Sequence, residues 1–389
     1  MSKEQLHEIT QDLYEEFKGL SDYIYENPEL GYEEFKSSKA HIDLLTKHGF
    51  SIEQPYAGMD TAFRAEFDSG KEGPTIAYLS EYDALPGIGH GCGHNMLGTV
   101  DTGAGIVLSK IIEEIGGKVV VFGTPAEETD GGKVHMANRG SFDDIDVAMC
   151  THPNDFNTVS GNSMAIEPLS FEFYGKGAHA AEAPFEGVNA LDAVINMFNN
   201  VNALRQQMHP SARVHGIIKH GGDAPNIIPD YTRADFYVRA LDMSYLNELS
   251  AKVIKCAEGA ALAAGVEMKY NNFENIFSNM ITNEHLSQTY NDNAAEVGVE
   301  MVAEDDSNMG SIDMGNVSQV VPSIHSYYSI TGDKHVVGHT AEFRDFTKSE
   351  VGYTAMSNTI EILAKTGYDV ITKPELLQAI KEEFEATKK

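Results

Sequence analysis

The sequence predicts an α/β fold: a mostly parallel sheet covered by helices, with a smaller α+β domain inserted into it. Three observations carry that expectation. Strand and helix patterns alternate through the first half, which favours a parallel, covered sheet. The strand patterns there are short, bounded apolar runs, as buried strands require. Near Pro168 the order changes to β-α-β-β-α-β, the split-βαβ sandwich of ferredoxin-like domains.

In chain order, residues 4–19 and 36–48 have helical spacing, and 75–80 is a short apolar strand. A helix is expected from about residue 96 to 115, stopped by Gly116-Gly117. Residues 118–123 and 146–150 read as further buried strands. Beyond Pro168 the pattern gives a strand at 169–174, a helix at 188–208, strands at 213–219 and 232–240, a helix at 243–264 and a strand at 267–273. Helix and strand signals then resume after Ile281. The expected plan is a larger domain of residues 1–168 joined to 281–389, with 169–280 as the insertion. A chain of 389 residues is also too long for one ordinary core.

Composition removes several function classes. Net charge is −31, from 28 Lys and Arg against 59 Asp and Glu, and that field repels a phosphate backbone. Nucleic acid is therefore not an expected partner. No stretch approaches the roughly 18 consecutive apolar residues of a membrane span. The N-terminus lacks the basic start and apolar run of a secretory signal, so a cytoplasmic protein is expected. Three cysteines cannot build a disulfide framework, and reduced thiols are expected. Cys150 and Cys256 sit among apolar residues as small core side chains. Cys92 does not.

Cys92 lies in the segment 81–95, which follows directly on the 75–80 strand. Sites in open α/β sheets form where strands end at their carboxyl edge. Asp83, His90, Cys92 and His94 supply a hard oxygen, two imidazoles and a thiolate within twelve residues. The alternation His-Gly-Cys-Gly-His puts donors on one side of an extended loop, and a borderline-soft ion such as Zn²⁺ or Mn²⁺ suits the mixture. Packing alone does not explain such a run. Two more strand ends add to it. The 118–123 strand leads to Glu127-Glu128, where one carboxylate can bind metal while its neighbour faces the reacting water as general base. The 146–150 strand leads to His152.

The combination of Asp83-Ala-Leu-Pro, Cys92-Gly-His94, Pro125-Ala-Glu-Glu128 and Thr151-His152 resembles the metallohydrolase family of aminoacylases, glutamate carboxypeptidases and auxin-conjugate amidohydrolases. The similarity covers essentially the whole chain and is closest to the amidohydrolase branch, where cysteine bridges two metals. It implies Cys92, His94, Glu128 and His152 as ligands and Glu127 as base. Gly338-His339-Thr-Ala-Glu-Phe343 matches the family's last ligand, so His339 is chosen over His325 and His335, which are assigned structural roles. Asp83 and His90 are expected to support the ligands from behind. Asparagine at position 95, where many relatives have aspartate, is similar to the subgroup of p-aminobenzoyl-glutamate hydrolase and aminoacylase-1-like protein 2.

The inserted domain carries matches too. Gly175-Lys-Gly-Ala-His-Ala-Ala181 resembles the family's lid segment, which implies that His179 stabilises the oxyanion, often across a dimer. Asn226 and Arg239 resemble the residues that hold a substrate carboxylate; taken alone, they read as a turn residue and a surface strand residue. The resemblance thus implies two divalent ions, Zn or Mn, and a small carboxylate-bearing amide as substrate. It also implies a homodimer or higher oligomer formed through the inserted domain. An aminopeptidase or short-peptide endopeptidase on the same site is the alternative among enzymes, and a catalytically silent metal- or ligand-binding relative the alternative outside them.

Overall fold

Ten strands form two sheets among the described residues, 3–303 and 309–388 of a computed structural model. In chain order they are β1 (Ser51–Glu53), β2 (Phe63–Asp68), β3 (Thr75–Ser80), β4 (Lys118–Gly123), β5 (Val147–Asn154), β6 (Ala165–Tyr174), β7 (Arg213–His220), β8 (Tyr231–Ala240), β9 (Glu267–Asn272) and β10 (Ser323–Ser329). The chain divides into two compact units, Met1–Asn162 with Met280–Lys389, and Ser163–Asn279.

The larger unit holds the sheet β1-β2-β4-β3-β5-β10. Neighbours among β4, β3, β5 and β10 are parallel, while β2 runs antiparallel to both β1 and β4. All six residues of β3 are buried, because helices cover both faces. The helix His94–Ile115 packs on this sheet and is buried along most of its length. Its Gly105 meets Val121, where a Cβ would lie 2.4 Å from a methyl carbon; the glycine lets helix and sheet approach closely.

Two features were not anticipated in the sequence. The helical pattern at 4–19 is two helices, Gln5–Asp12 and Tyr14–Glu26, separated at Leu13, whose backbone leaves helical geometry. β1 and β2 lie at the sheet's exposed side, where short runs with charged residues give little apolar signal.

The smaller unit holds the antiparallel sheet β7-β8-β6-β9, with helices Ala190–Leu204 and Met243–Ala264 packed together on one face. Side chains of β8 alternate strictly between buried and half-exposed, as a sheet covered on one face requires. The expected boundary at 168 falls inside β6. Pro168 reads as a strand breaker, yet it sits between the last β9 pair, Leu169–Asn272, and the bridge Ile166–Phe277. No ladder bond on that side needs its missing N–H.

Candidate metal centre

The adjacent parallel strands β4, β3 and β5 bring their carboxyl ends to one edge of the larger sheet. Glu81 and Asp83 follow β3, Glu127 and Glu128 follow β4, and His152 lies within β5. Gly93, at φ +88°, turns the chain from Cys92 directly into the helix that begins at His94. A Cβ at Gly93 would fall 2.5 Å from Pro153 Cγ, so both the conformation and the space demand glycine. His339 arrives from the far end of the chain. Its backbone N–H donates to the Gly91 carbonyl at 2.8 Å, and its φ of +62° is one a histidine adopts only under constraint.

These residues converge. Cys92 Sγ lies 3.3 Å from His152 Nε2 and 3.3 Å from His339 Nε2. Glu128 Oε1 lies 3.4 Å from His339 Nε2. The donor atoms of Cys92, His94 and His152 all fall within 4.8 Å of one another, as do those of Cys92, Glu128 and His339. Cys92 belongs to both triads. Glu127 stands outside them and groups with Glu81 and His94 instead.

The hydrogen bonding around this set suits divalent cations. His94 Nδ1 meets Asp83 Oδ1 at 2.9 Å and its carbonyl at 3.0 Å, and His152 Nδ1 meets the Pro153 carbonyl at 2.6 Å. Those acceptors take a hydrogen bond from each Nδ1 and turn each Nε2 toward the other donors. His94 Nε2 and Glu128 Oε1 are buried without a hydrogen-bond partner. Such orphaned atoms are costly unless a ligand satisfies them. Burial pushes the Cys92 thiol well up, so a thiolate there needs an adjacent cation. Burial also holds the His152 imidazole down at about 3, in the neutral form a ligand requires. Burial, with the charges of Glu81, Asp313 and Glu128, pushes the Glu127 carboxyl well above the usual carboxylate range. Nearby positive charge is what would return it to a proton-accepting state.

Around the donors, Asp83 does double duty: Oδ1 orients His94, and Oδ2 accepts the Glu128 backbone N–H at 2.9 Å. His90 Nε2 faces the Ile24 carbonyl at 3.1 Å. His335 is held by Asp155 at 2.5 Å, and His325 is buried in β10 beside Cys150. A further group was not anticipated. Lys133, fully buried, bridges Glu81 Oε1 and Asp313 Oδ1, each at 2.7 Å. Burial would raise the Glu81 carboxyl, but Lys133 and then His94 outweigh it and hold it down at about 2. Glu81 Oε2 faces His94 Nε2 at 3.3 Å. Glu81 stands in the donor-rich segment and could have been found there, whereas Lys133 and Asp313 are 180 residues apart with no local signal.

In the smaller unit, the loops carrying His179 and Asn226 pair through their backbones. Ala180 N–H donates to Asn226 O at 3.0 Å, and Ile228 N–H to Ala178 O at 2.9 Å. His179 is exposed, and its Nδ1 accepts from the N–H groups of Ala181 and Glu182 at 3.3 and 3.1 Å. A neutral imidazole so held carries its proton on Nε2, facing outward as a donor. Asn226 is exposed as well, and Arg239 lies on the helix-free face of β8 with its guanidinium 5.7 Å from the Tyr237 ring.

A mostly parallel sheet whose strand ends gather Cys, His and Glu donors within reach of shared cations has the architecture of a metal-dependent hydrolase. Residues 166–264 match the peptidase dimerisation domain of the M20 group. The chain is 39% identical to a mouse Xaa-Arg dipeptidase over 98% of its own length and 92% of the relative's. It is 37% identical to one of the subunits of the Escherichia coli p-aminobenzoyl-glutamate hydrolase, over 63% of this chain and 55% of that one. The fold is shared with a dinuclear metal-binding peptidase of the M20 family from Bacillus subtilis, at TM-score 0.69 and 18% identity, covering 93% of this chain and all of that one. The chain belongs to the M20 family of metallopeptidases and is a metal-dependent amide hydrolase.

Proposed function

We propose that this enzyme hydrolyses the amide bond of a small carboxylate-bearing substrate: an N-acyl amino acid, an aminobenzoyl-glutamate-like conjugate or a dipeptide. The carrying observation is that Cys92 is shared by two donor triads, with Glu127 outside both and grouped with Glu81 and His94. His94 and His152 would hold one ion, Glu128 and His339 the other, and Cys92 both. Two divalent ions, Zn or Mn, would supply Lewis acidity and make a water acidic enough to attack near neutral pH. Glu127 takes the proton from the attacking water and returns it to the leaving amine. Donation from His179 Nε2 to the developing oxyanion fits the tautomer that its own loop imposes. Arg239 and Asn226 bind the substrate carboxylate, for which a guanidinium fork is suited. The names of the similar proteins support the substrate class, since dipeptides and aminobenzoyl-glutamate are both amides of an amino acid with a free carboxylate.

The smaller unit is proposed to act as lid and dimerisation domain in a cytoplasmic homodimer. Among the described residues its sheet leaves β7 and β9 as unpaired edges, with Ile217 and Ile218 of β7 exposed. Pairing across a two-fold axis would cover one such edge and could place His179 at the partner's metals. The deciding experiment is a screen of N-acyl amino acids, aminobenzoyl-glutamate and dipeptides, with metal content measured before and after chelation. Chelator-sensitive turnover of one class is expected. Turnover that survives complete metal removal, or none on any class by metal-loaded enzyme, overturns the reading.

A further inference from the structure

We infer that Glu34, on the N-terminal segment, is a positioning residue that holds Glu127 in place. The inference rests on Glu127 being the general base. The residue before it, Ala126, has φ +62°, a left-handed conformation that costs an alanine conformational energy. Within the turn the Gly131 N–H holds the Ala126 carbonyl at 2.8 Å, while the Ala126 N–H is held from outside. Glu34 is fully buried, and its Oε1 accepts the Ala126 N–H at 2.9 Å. Its Oε2 accepts from Thr61 Oγ1 at 2.8 Å, and the Thr61 carbonyl is in turn fixed by the Tyr82 hydroxyl at 2.7 Å. The rest of the segment is shaped to the same turn. A Cβ on Gly31 would lie 3.0 Å from Ala126 Cβ and 2.8 Å from Thr129 Oγ1, and the Tyr32 hydroxyl donates to Asp130 at 2.9 Å.

Glu128 has a separate anchor, because Asp83 Oδ2 holds its N–H. Loss of Glu34 should therefore disturb Glu127 while leaving the metal ligand next to it in place. That separates a positioning role from general support of the site.

The test compares Glu34→Ala, Glu34→Gln and Glu127→Gln as purified, metal-loaded full-length enzymes. Glu34→Ala should retain the wild-type metal content and KM while kcat falls about 10- to 100-fold, the scale of a misplaced catalytic group. Glu34→Gln keeps an acceptor for Ala126 and can donate to Thr61, so it should stay within about threefold of wild type. Adding Ala126→Gly to Glu34→Ala should restore part of the lost kcat, because glycine adopts positive φ without the alanine penalty. Wild-type kcat in Glu34→Ala beside an inactive Glu127→Gln overturns the inference and leaves the reading of Glu127 intact. So does loss of metal from Glu34→Ala. Normal turnover by Glu127→Gln removes the base and the inference with it. Should Glu34→Ala fail to fold, Thr61→Val loosens Oε2 alone, and an unchanged kcat there sinks the idea equally.

Discussion

The two units build their sheets on different principles, and their functional residues differ accordingly. In the larger unit, β3 is buried at every position and side chains of interest emerge only at strand ends. There they meet one another, and Asp83, Lys133 and the Gly91 carbonyl hold them from behind. In the smaller unit, β8 buries every second residue, and His179, Asn226 and Arg239 lie on loops or on the face without helices. A covered parallel sheet can preorganise a donor set within one unit. A half-covered sheet presents residues to something else, which suits a role in substrate capture and assembly.

Breaking the preorganised set should have the largest effect. Glu127→Gln should lower kcat by roughly 10²- to 10⁴-fold while metal content by mass spectrometry stays at the wild-type level. Loss of metal together with activity would make Glu127 a ligand.

On the presenting side, His179→Ala should lower kcat by about 10²-fold or more with the metals retained. Refolding Glu127→Gln and His179→Ala chains together distinguishes the geometry. If His179 acts across a dimer, the mixed species has one site with neither lesion and activity returns; if it acts within its own chain, the mixture stays inactive. Sedimentation showing only monomer at assay concentration would exclude the former.

A smaller change is expected one step behind the ligands. Asp83→Asn removes the carboxylate that orients both His94 and the Glu128 backbone, and metal affinity should weaken roughly 10- to 100-fold. Unchanged affinity by competition with a chelator would show that His94 needs no such orientation.

The smallest effect concerns acid stability at single buried histidines. Burial holds the His41 imidazole down at about 3 and His90 at about 4, both in the larger unit, whereas the histidines of the smaller unit are exposed or half-exposed. The unfolded chain takes up those protons near pH 6.5, before the folded chain does. Stability is therefore full above pH 6.5 and is lost as pH falls toward the folded values, by about 1.4 kcal/mol per pH unit for each such group. Denaturant titrations of wild type and His41→Leu from pH 7 to 5 should show the wild type losing stability relative to the variant as pH falls; parallel titrations would remove the His41 contribution.

What the sequence determined by itself was whatever is local in the chain. Apolar runs gave β3, β4 and β5, and the donors lie in the segment after β3, just after β4 and at the end of β5, so Cys92, His94, Glu128 and His152 were legible as a group. His339 was legible only through resemblance to a motif, because nothing near it in the chain points to metal. The tertiary structure decided what depends on residues far apart. It made Cys92 common to two triads, set a buried Lys133 between Glu81 and Asp313, and turned His90 away to a helix backbone. It also brought Glu34 to the turn before Glu127, across ninety-two residues of chain. Side-chain periodicity reports which face of an element is buried, but not which distant partner shares that burial. The long-range hydrogen bonds and ion pairs of a site form only when the elements have packed.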